Sequence, residues 1–151
     1  MRWLKIFLII ILLYGFQNKQ FYYSSAQATG TDPRIAKLQT FLKGTPLYNE
    51  AEVFIREADK NGLDWKLLAV VGMVESSGGK RCWKNCFGWS GGRIDFGDNS
   101  KDIAGISDKL STLSYYKTYL KTGRIEDFCL AYNRPYAKEY CGKLMFFYTQ
   151  L

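Results

Sequence analysis

The chain has 151 residues, a formal net charge of +7 and no histidine. The absence of histidine excludes Ser-His-Asp and Cys-His catalysis, and also the His-Glu-x-x-His metalloproteases. Acid–base chemistry would therefore fall to carboxylates, tyrosine or lysine. The modest excess of basic residues suits an anionic polymer, but no Lys/Arg-rich run or nucleic-acid motif indicates nucleic acid.

The N-terminal residues predict a signal peptide over residues 1–28. Two basic residues precede an apolar run of about a dozen residues, Ile6 to Phe16, which is the length of a signal-peptide core. A membrane-spanning helix needs roughly 20 such residues. Ala26-Gln27-Ala28 has the pattern of a cleavage site. We therefore expect a secreted or cell-envelope protein. The alternative is an uncleaved N-terminal anchor, which would be the one membrane contact that we expect.

About 120 residues follow this segment, enough for one domain with a modest core. The segment contains three basic residues and no acid, so its removal lowers the formal charge from +7 to about +4. We expect residues 29–46 to form a linker and a short helix, and residues 47–151 to form the main domain.

Helical periodicity predicts that most of this domain is α-helical. The predicted helices are Pro33–Leu42, Tyr48–Lys60, Trp65–Glu75, Ser100–Leu120, Ile125–Ala131 and Tyr136–Leu151. The third is apolar on all sides after Lys66, which indicates a buried helix. Between the third and the fourth, Ser90-Gly91-Gly92-Arg93 predicts a β-hairpin. The expected fold class is mainly α, of the α+β type, with a small β-hairpin beside the cleft.

Four cysteines in a small exported domain indicate two disulfides, for which three pairings exist. We favour Cys82–Cys86 with Cys129–Cys141, because short loops close with the least strain. The alternative is a four-thiolate zinc site, but the spacings between these cysteines fit no usual zinc pattern. We therefore expect neither a metal nor another cofactor.

Glu75 has the clearest chemical interpretation. Leu68, Val71 and Glu75 lie at positions i, i+3 and i+7, so the carboxylate shares a helix face with apolar residues. It also lies at the predicted C-terminus of the helix, where the macrodipole disfavours negative charge. Both effects raise the pKa of a carboxyl group, and a carboxyl protonated near neutral pH can act as a general acid. The alternatives are exposure to solvent or an ion pair with Lys80 or Arg81.

Short motifs follow one another from Glu75 onwards. Glu75 to Gly79 reads E-S-S-G-G, and Asn85 to Trp89 reads N-C-F-G-W. Leu130 to Asn133 reads L-A-Y-N, and Tyr136 to Tyr140 reads Y-A-K-E-Y. From about Glu50 to Leu151, this order resembles the lysozyme-like superfamily of bacterial peptidoglycan-cleaving enzymes. The similarity is to the soluble lytic transglycosylases and to the related wall N-acetylglucosaminidases.

The resemblance implies a lysozyme-like catalytic domain over residues 47–151 that cleaves β-1,4 bonds between N-acetylmuramic acid and N-acetylglucosamine. It implies that Glu75 is the general acid and that Tyr132 orients it or stabilises the developing positive charge. The residues implied to bind substrate are Ser76, Phe87, Trp89 and Asn133. Phe87 and Trp89 could instead belong to the core, and Tyr132 could be a packing residue.

Two departures from the transglycosylase pattern leave the type of reaction open. Phe87 to Ser90 stands where a G-L-M-Q segment is expected, and Arg134-Pro135 follows Asn133 in place of alanine-glycine. Asp95, Asp98 and Asp102 are candidates for the second carboxylate of a glycosidase, and we name Asp95, beside the predicted hairpin, because Asp102 is expected to cap or start the next helix. If Asp95 faces solvent, Glu75 must act first as the acid and then as the base.

The expected partners are the glycan strands of peptidoglycan, bound by a monomer, and not nucleic acid. Two rival functions belong to other classes. One is a catalytically inactive sugar-binding domain on the same fold. The other is a structural or partner-binding exported protein, in which the aromatic residues, 17% of the chain, form an interaction surface.

Overall fold

Helices build the part of the chain that the computed structural model describes, residues 32–151. The predicted signal peptide, residues 1–28, and the start of the predicted linker lie outside this range. The α-helices are α1 Pro33–Phe41, α2 Ala51–Asn61, α3 Leu67–Ser76, α4 Asn99–Thr112, α5 Lys117–Thr122, α6 Ile125–Tyr132 and α7 Ala137–Tyr148. Across residues 32–151, none of them is long and apolar enough to cross a membrane.

Helix α3 forms the centre of the core. Leu67, Ala69, Val70 and Val71 are fully buried on all its sides, as its apolar sequence predicted. Gly72 permits close packing in its middle, because a Cβ there would lie 2.8 Å from the Leu47 side chain. The remaining helices pack around this core in the pairs α1–α2, α2–α4, α3–α7, α5–α6 and α6–α7.

Several helix ends follow from local sequence. Asp32 caps α1, since its side chain accepts a hydrogen bond from the backbone N–H of Arg34, and proline occupies the first turn. Helix α2 ends at Gly62, whose left-handed φ of 64° suits glycine. Both ends agree with the sequence-based expectation.

The predicted β-hairpin is wrong, because no strand forms between residues 32 and 151. Ser90, Gly91 and Gly92 all have positive φ angles, and Trp89–Gly92 forms a 3₁₀ turn. Consecutive left-handed residues cannot extend a strand. The fold is therefore mainly helical, with an irregular loop in place of the hairpin.

The predicted helix Ser100–Leu120 is interrupted. Leu113 is extended, with ψ of 130°, and a 3₁₀ turn separates α4 from α5. The interruption changes which face points inward: Ile106 and Leu110 are buried before it, and Tyr116 and Tyr119 after it. A straight helix would instead have placed Lys117 on the buried stripe.

Two disulfides brace the fold, and they join the pairs that sequence proximity favoured. Cys82–Cys86 closes the loop after α3, and Cys129–Cys141 joins α6 to α7. The bonded residues are 4 and 12 positions apart respectively.

We expect the α6–α7 disulfide to stabilise the protein more. Replacement of Cys129 and Cys141 by alanine should lower the free energy of unfolding by about 3 kcal/mol. Replacement of Cys82 and Cys86 should lower it by about 2 kcal/mol, because the shorter closed loop restricts the unfolded chain less. Urea denaturation of both double variants measures the difference. An equal or reversed order would contradict this explanation.

Candidate active site

The carboxyl group of Glu75 lies half-buried in the last turn of α3, directly before the helix ends at the left-handed Ser77. Burial raises its pKa, while the Tyr140 hydroxyl and the charge of Lys143, both on α7, lower it. Across residues 32–151, Glu75 forms no ion pair, so the alternative of a structural pair with Lys80 or Arg81 is not realised.

The backbone of Gly88 closes over this carboxyl group. Gly88 has a left-handed φ of 68°, and a Cβ placed on it would lie 2.8 Å from Cδ of Glu75. Any side chain at this position would therefore strain the backbone and collide with the carboxyl group. The glycine of the N-C-F-G-W motif thus permits direct contact between loop and acid.

Asn85 determines the shape of the loop that carries Gly88. Its buried side chain donates hydrogen bonds to the carbonyls of Trp89 and Ile94, at 3.1 and 2.9 Å. Its amide oxygen accepts hydrogen bonds from the N–H groups of Phe87 and Trp89, at 3.2 and 3.0 Å. These bonds satisfy backbone groups that a strand ladder would otherwise pair.

Asp102 anchors the same loop from α4. Its carboxylate is 4% exposed and accepts a hydrogen bond from the Cys86 N–H at 3.3 Å. Burial raises the pKa of Asp102 to about 6, and the negative charges of Asp95 and Asp98 act in the same direction. Asp102 therefore fixes the backbone of the loop at Cys86 through this hydrogen bond.

Tyr132 and Tyr140 stack beside Glu75, with ring centroids 5.8 Å apart. The Tyr132 hydroxyl donates a hydrogen bond to the Phe87 carbonyl, so this tyrosine holds the loop. The buried Tyr140 hydroxyl makes no hydrogen bond of standard geometry within residues 32–151. It nevertheless interacts with the Glu75 carboxyl, and this interaction lowers the pKa of Glu75 and raises that of Tyr140. Burial raises the pKa of both phenols, so both are neutral donors.

An open cavity of about 450 Å³ is bordered by Gly88, whose backbone contacts the Glu75 carboxyl, but Glu75 itself is not among the lining residues. Its aromatic lining residues are Trp89, Tyr115, Tyr116 and Tyr132. The Trp89 ring centroid lies 6.1 Å from that of Tyr132 and 6.3 Å from that of Tyr116. Flat apolar faces next to polar hydroxyl groups are suited to a small number of sugar rings.

Another groove, of about 540 Å³, lies between α1 and the C-terminal residues. Lys37 is the one ionisable side chain among its lining residues, so the groove offers no carboxyl side chain that could act as a general acid. We therefore place the candidate active site at Glu75 and the aromatic cavity.

Three of the residues expected to bind substrate do not face the cavity. Ser76 is buried, and its hydroxyl donates to the Gly72 carbonyl and accepts from the Gly79 N–H. Phe87 is fully buried, and its ring packs edge-on against Phe54. Asn133 ends α6 and lies outside the cavity lining. The helix end and the core use the side chains of Ser76 and Phe87 internally, so the structure does not bring these three residues together at the cavity.

Asp95 is also not placed as a second carboxylate. Its side chain is exposed and accepts a hydrogen bond from the Gly97 N–H at 2.9 Å, which is a local turn contact. The groups that act on the Glu75 carboxyl are Tyr140 and Lys143, with no carboxylate among them. Trp89 does line the cavity, and Tyr132 lines it as well.

Sequence reasoning missed Tyr140, Tyr115 and Tyr116 as site residues. Tyr140 lies within the Y-A-K-E-Y segment, so the motif pointed to the right place without identifying the hydroxyl. The adjacent Tyr115 and Tyr116 have ring centroids 4.5 Å apart. No feature of their local sequence indicates whether these two tyrosines line a cavity or only pack against each other in the core.

The described part of the chain contains no group of three or more aspartate, glutamate or cysteine side chains that could hold a metal ion. Comparison with protein-family models, with curated proteins and with solved structures finds no match for this chain. Only the geometry of the site and the order of the motifs therefore indicate a function.

The two stacked tyrosines should respond differently to loss of the hydroxyl. Tyr132→Phe removes a hydrogen bond to the loop and should lower the free energy of unfolding by about 1 kcal/mol. Tyr140→Phe removes the hydroxyl that lowers the pKa of Glu75, so this pKa should rise further. The free energy of unfolding should then fall only above the ordinary glutamate pKa, where the carboxyl is ionised in the unfolded chain, and should be nearly unchanged at lower pH. Denaturation curves and carboxyl ¹³C NMR titration measure both effects. Equal destabilisation with an unmoved Glu75 pKa would contradict this assignment.

Asp102 should make stability depend on pH. Its pKa of about 6 when folded exceeds the ordinary 3.8, so the stabilisation is complete below 3.8 and is lost as pH rises through 6. We expect a loss of up to about 3 kcal/mol on that rise. Asp102→Asn keeps an acceptor for Cys86 and should flatten the dependence, measured by denaturation at several pH values. Asp108→Asn, an exposed aspartate on the same helix, is the control.

Proposed function

We propose that the protein cleaves β-1,4 bonds between N-acetylmuramic acid and N-acetylglucosamine in peptidoglycan, with Glu75 as the general acid on a lysozyme-like fold. The observation that carries the proposal is the half-buried Glu75 carboxyl, whose pKa is raised by burial beside a cavity with aromatic walls. Such a carboxyl retains its proton at higher pH and can transfer it to a glycosidic oxygen. The order of motifs from Glu75 to Tyr140 supports the same proposal.

In this mechanism the neutral Glu75 carboxyl donates its proton to the bridging oxygen as the glycosidic C–O bond breaks. The sugar on the other side of the bond acquires positive charge at its anomeric carbon and ring oxygen. The carboxylate that remains takes a proton from a water molecule, or from the 6-hydroxyl of the same sugar, as that oxygen attacks the anomeric carbon. Attack by water gives hydrolysis, and attack by the 6-hydroxyl gives a 1,6-anhydro product.

One carboxylate is sufficient for this sequence of steps. The groups that act on Glu75 are a phenol and an ammonium group, and Asp95 is exposed in a turn. Two-carboxylate glycosidases hold their pair within roughly 10 Å. We therefore propose that Glu75 serves as acid and then as base, assisted by the N-acetyl group or the 6-hydroxyl of the substrate.

The tyrosines have different roles in this proposal. Tyr140 contributes a neutral hydroxyl beside Glu75 that can donate a hydrogen bond once the carboxyl has lost its proton. Tyr132 acts indirectly, because its hydroxyl holds the Phe87 carbonyl and so maintains the position of Gly88. Trp89 is the side chain that we propose to stack on a sugar ring.

A catalytically inactive sugar-binding domain is the second candidate function. The observation that favours it is the aromatic cavity, which could bind sugar rings without any proton transfer. An enzyme should lose turnover when Glu75 can no longer donate a proton. A sugar-binding domain has no turnover, so the same substitution should leave its function unchanged.

Substitution of Glu75 tests the proposal directly. Glu75→Gln keeps the shape of the side chain but cannot donate a proton, so the rate of turbidity loss in a bacterial wall suspension should fall at least ~100-fold. The melting temperature should hardly change. Glu139→Gln, which removes an exposed carboxylate from α7, is the matched control and should retain the parental rate.

Retained activity in Glu75→Gln, or the absence of activity in the parental protein, would contradict the enzymatic proposal. If the parental protein binds glycan strands but does not cleave them, the sugar-binding function is favoured. Mass analysis of the digest identifies the bond from the sugar at the new reducing end, and a 1,6-anhydro end identifies transglycosylation.

A further inference from the structure

The loop after α3 presents cations that the proposed mechanism does not use. Lys80, Arg81, Lys84 and Arg93 are exposed, and none of them forms an ion pair with any residue between 32 and 151. Trp83 lies among them and is 71% exposed, more than any other large hydrophobic side chain in the described range. We name these five residues the lip patch.

The lip patch is held in a defined conformation. The Cys82–Cys86 disulfide closes the short loop that contains Trp83 and Lys84. The Arg81 N–H donates to the Ser76 carbonyl at 3.0 Å, and the Lys84 N–H donates to the Gly92 carbonyl at 3.2 Å. A surface whose backbone is already ordered loses little conformational entropy when it binds a partner.

The lip patch also adjoins the cavity beside Glu75. A Cβ placed on Gly92 would lie 3.7 Å from Cβ of Trp83, so the 3₁₀ turn packs against the patch. The same turn begins with Trp89 and Ser90, which line the cavity. One continuous loop therefore connects exposed cations and an exposed indole to the aromatic cavity.

We propose that the lip patch is an additional binding surface for carboxylate-bearing glycan strands, which it guides into the cavity beside Glu75. The indole of Trp83 stacks on a sugar ring beyond the cavity, and the four cations pair with carboxylate groups along the strand. The identity of the polymer rests on the proposed function. Continuity with the cavity favours a polymer that occupies both surfaces over a lipid bilayer, which would contact the patch alone. The sequence contains no nucleic-acid motif, so we favour glycan over nucleic acid.

Binding measurements in the Glu75→Gln background test this proposal without cleavage. The probes are peptide-free glycan strands, which carry lactyl carboxylates, and neutral chitin oligosaccharides. The triple variant Lys80→Gln, Arg81→Gln, Lys84→Gln should bind the glycan strands at least about tenfold more weakly and with less dependence on salt. Its binding of chitin should be unchanged. Trp83→Ala should weaken the binding of both probes.

The triple variant Lys37→Gln, Lys43→Gln, Lys121→Gln is the charge-matched control. These lysines are exposed, form no ion pair within residues 32–151 and lie outside the loop. The control should bind the glycan strands like the parent. Equal weakening by both triple variants would show a general charge effect and overturn the proposal.

Other results would also overturn it. Unchanged binding by the lip-patch variants, or no binding of glycan strands by the parent, rejects the patch as a glycan surface. Loss of binding to anionic phospholipid vesicles with retained glycan binding would assign the patch to lipid. The cleavage assay separates this inference from the proposed function. If the parental protein cleaves wall but the lip-patch variants bind glycan strands normally, only the inference about the lip patch is rejected. If the parental protein does not cleave wall but its binding of glycan strands depends on the lip patch, only the proposed reaction is rejected.

Discussion

Four hydrogen bonds from one buried side chain hold the loop on which the candidate site depends. Asn85 is 3% exposed, and its amide group bonds only to backbone groups of the segment that follows it. An unpaired amide at this depth would destabilise the protein more than a formed bond stabilises it, so the side chain selects one loop conformation. That conformation brings the backbone of Gly88 against the Glu75 carboxyl and connects the cavity to the lip patch.

Opposing effects act on the same carboxyl group. Burial at the end of a central helix raises the pKa of Glu75, while Tyr140 and Lys143 lower it. A fully buried acid would be inaccessible to a substrate, and a fully exposed one would already be ionised at neutral pH. The half-buried position leaves part of the group exposed while burial still raises its pKa.

Local physical chemistry accounts for what could be predicted of the fold. Cap residues, left-handed glycines and apolar stripes act within a few positions, so the start of α1, the end of α2 and the buried faces of α1 to α3 followed from sequence. Helix α2 begins at Ala51 and not at Tyr48, because the 3₁₀ turn Pro46–Glu50 precedes it. The hairpin did not, because a glycine-rich segment is compatible with a strand or with a turn. Side-chain hydrogen bonds decided between them: Asn85 organises the turn from within the loop, and Asp102 on α4 anchors it.

The sequence by itself determined a histidine-free, disulfide-linked helical domain with an acidic residue at the end of its most apolar helix. It also placed Glu75 and Tyr132 in motifs whose order has a chemical interpretation. Only the tertiary structure decided which hydroxyl faces the acid, because periodicity defines the face of each helix but not the angle at which two helices meet. The packing of α7 against α3 and α6 directs Tyr140 towards Glu75 and leaves Tyr132 bonded to the loop.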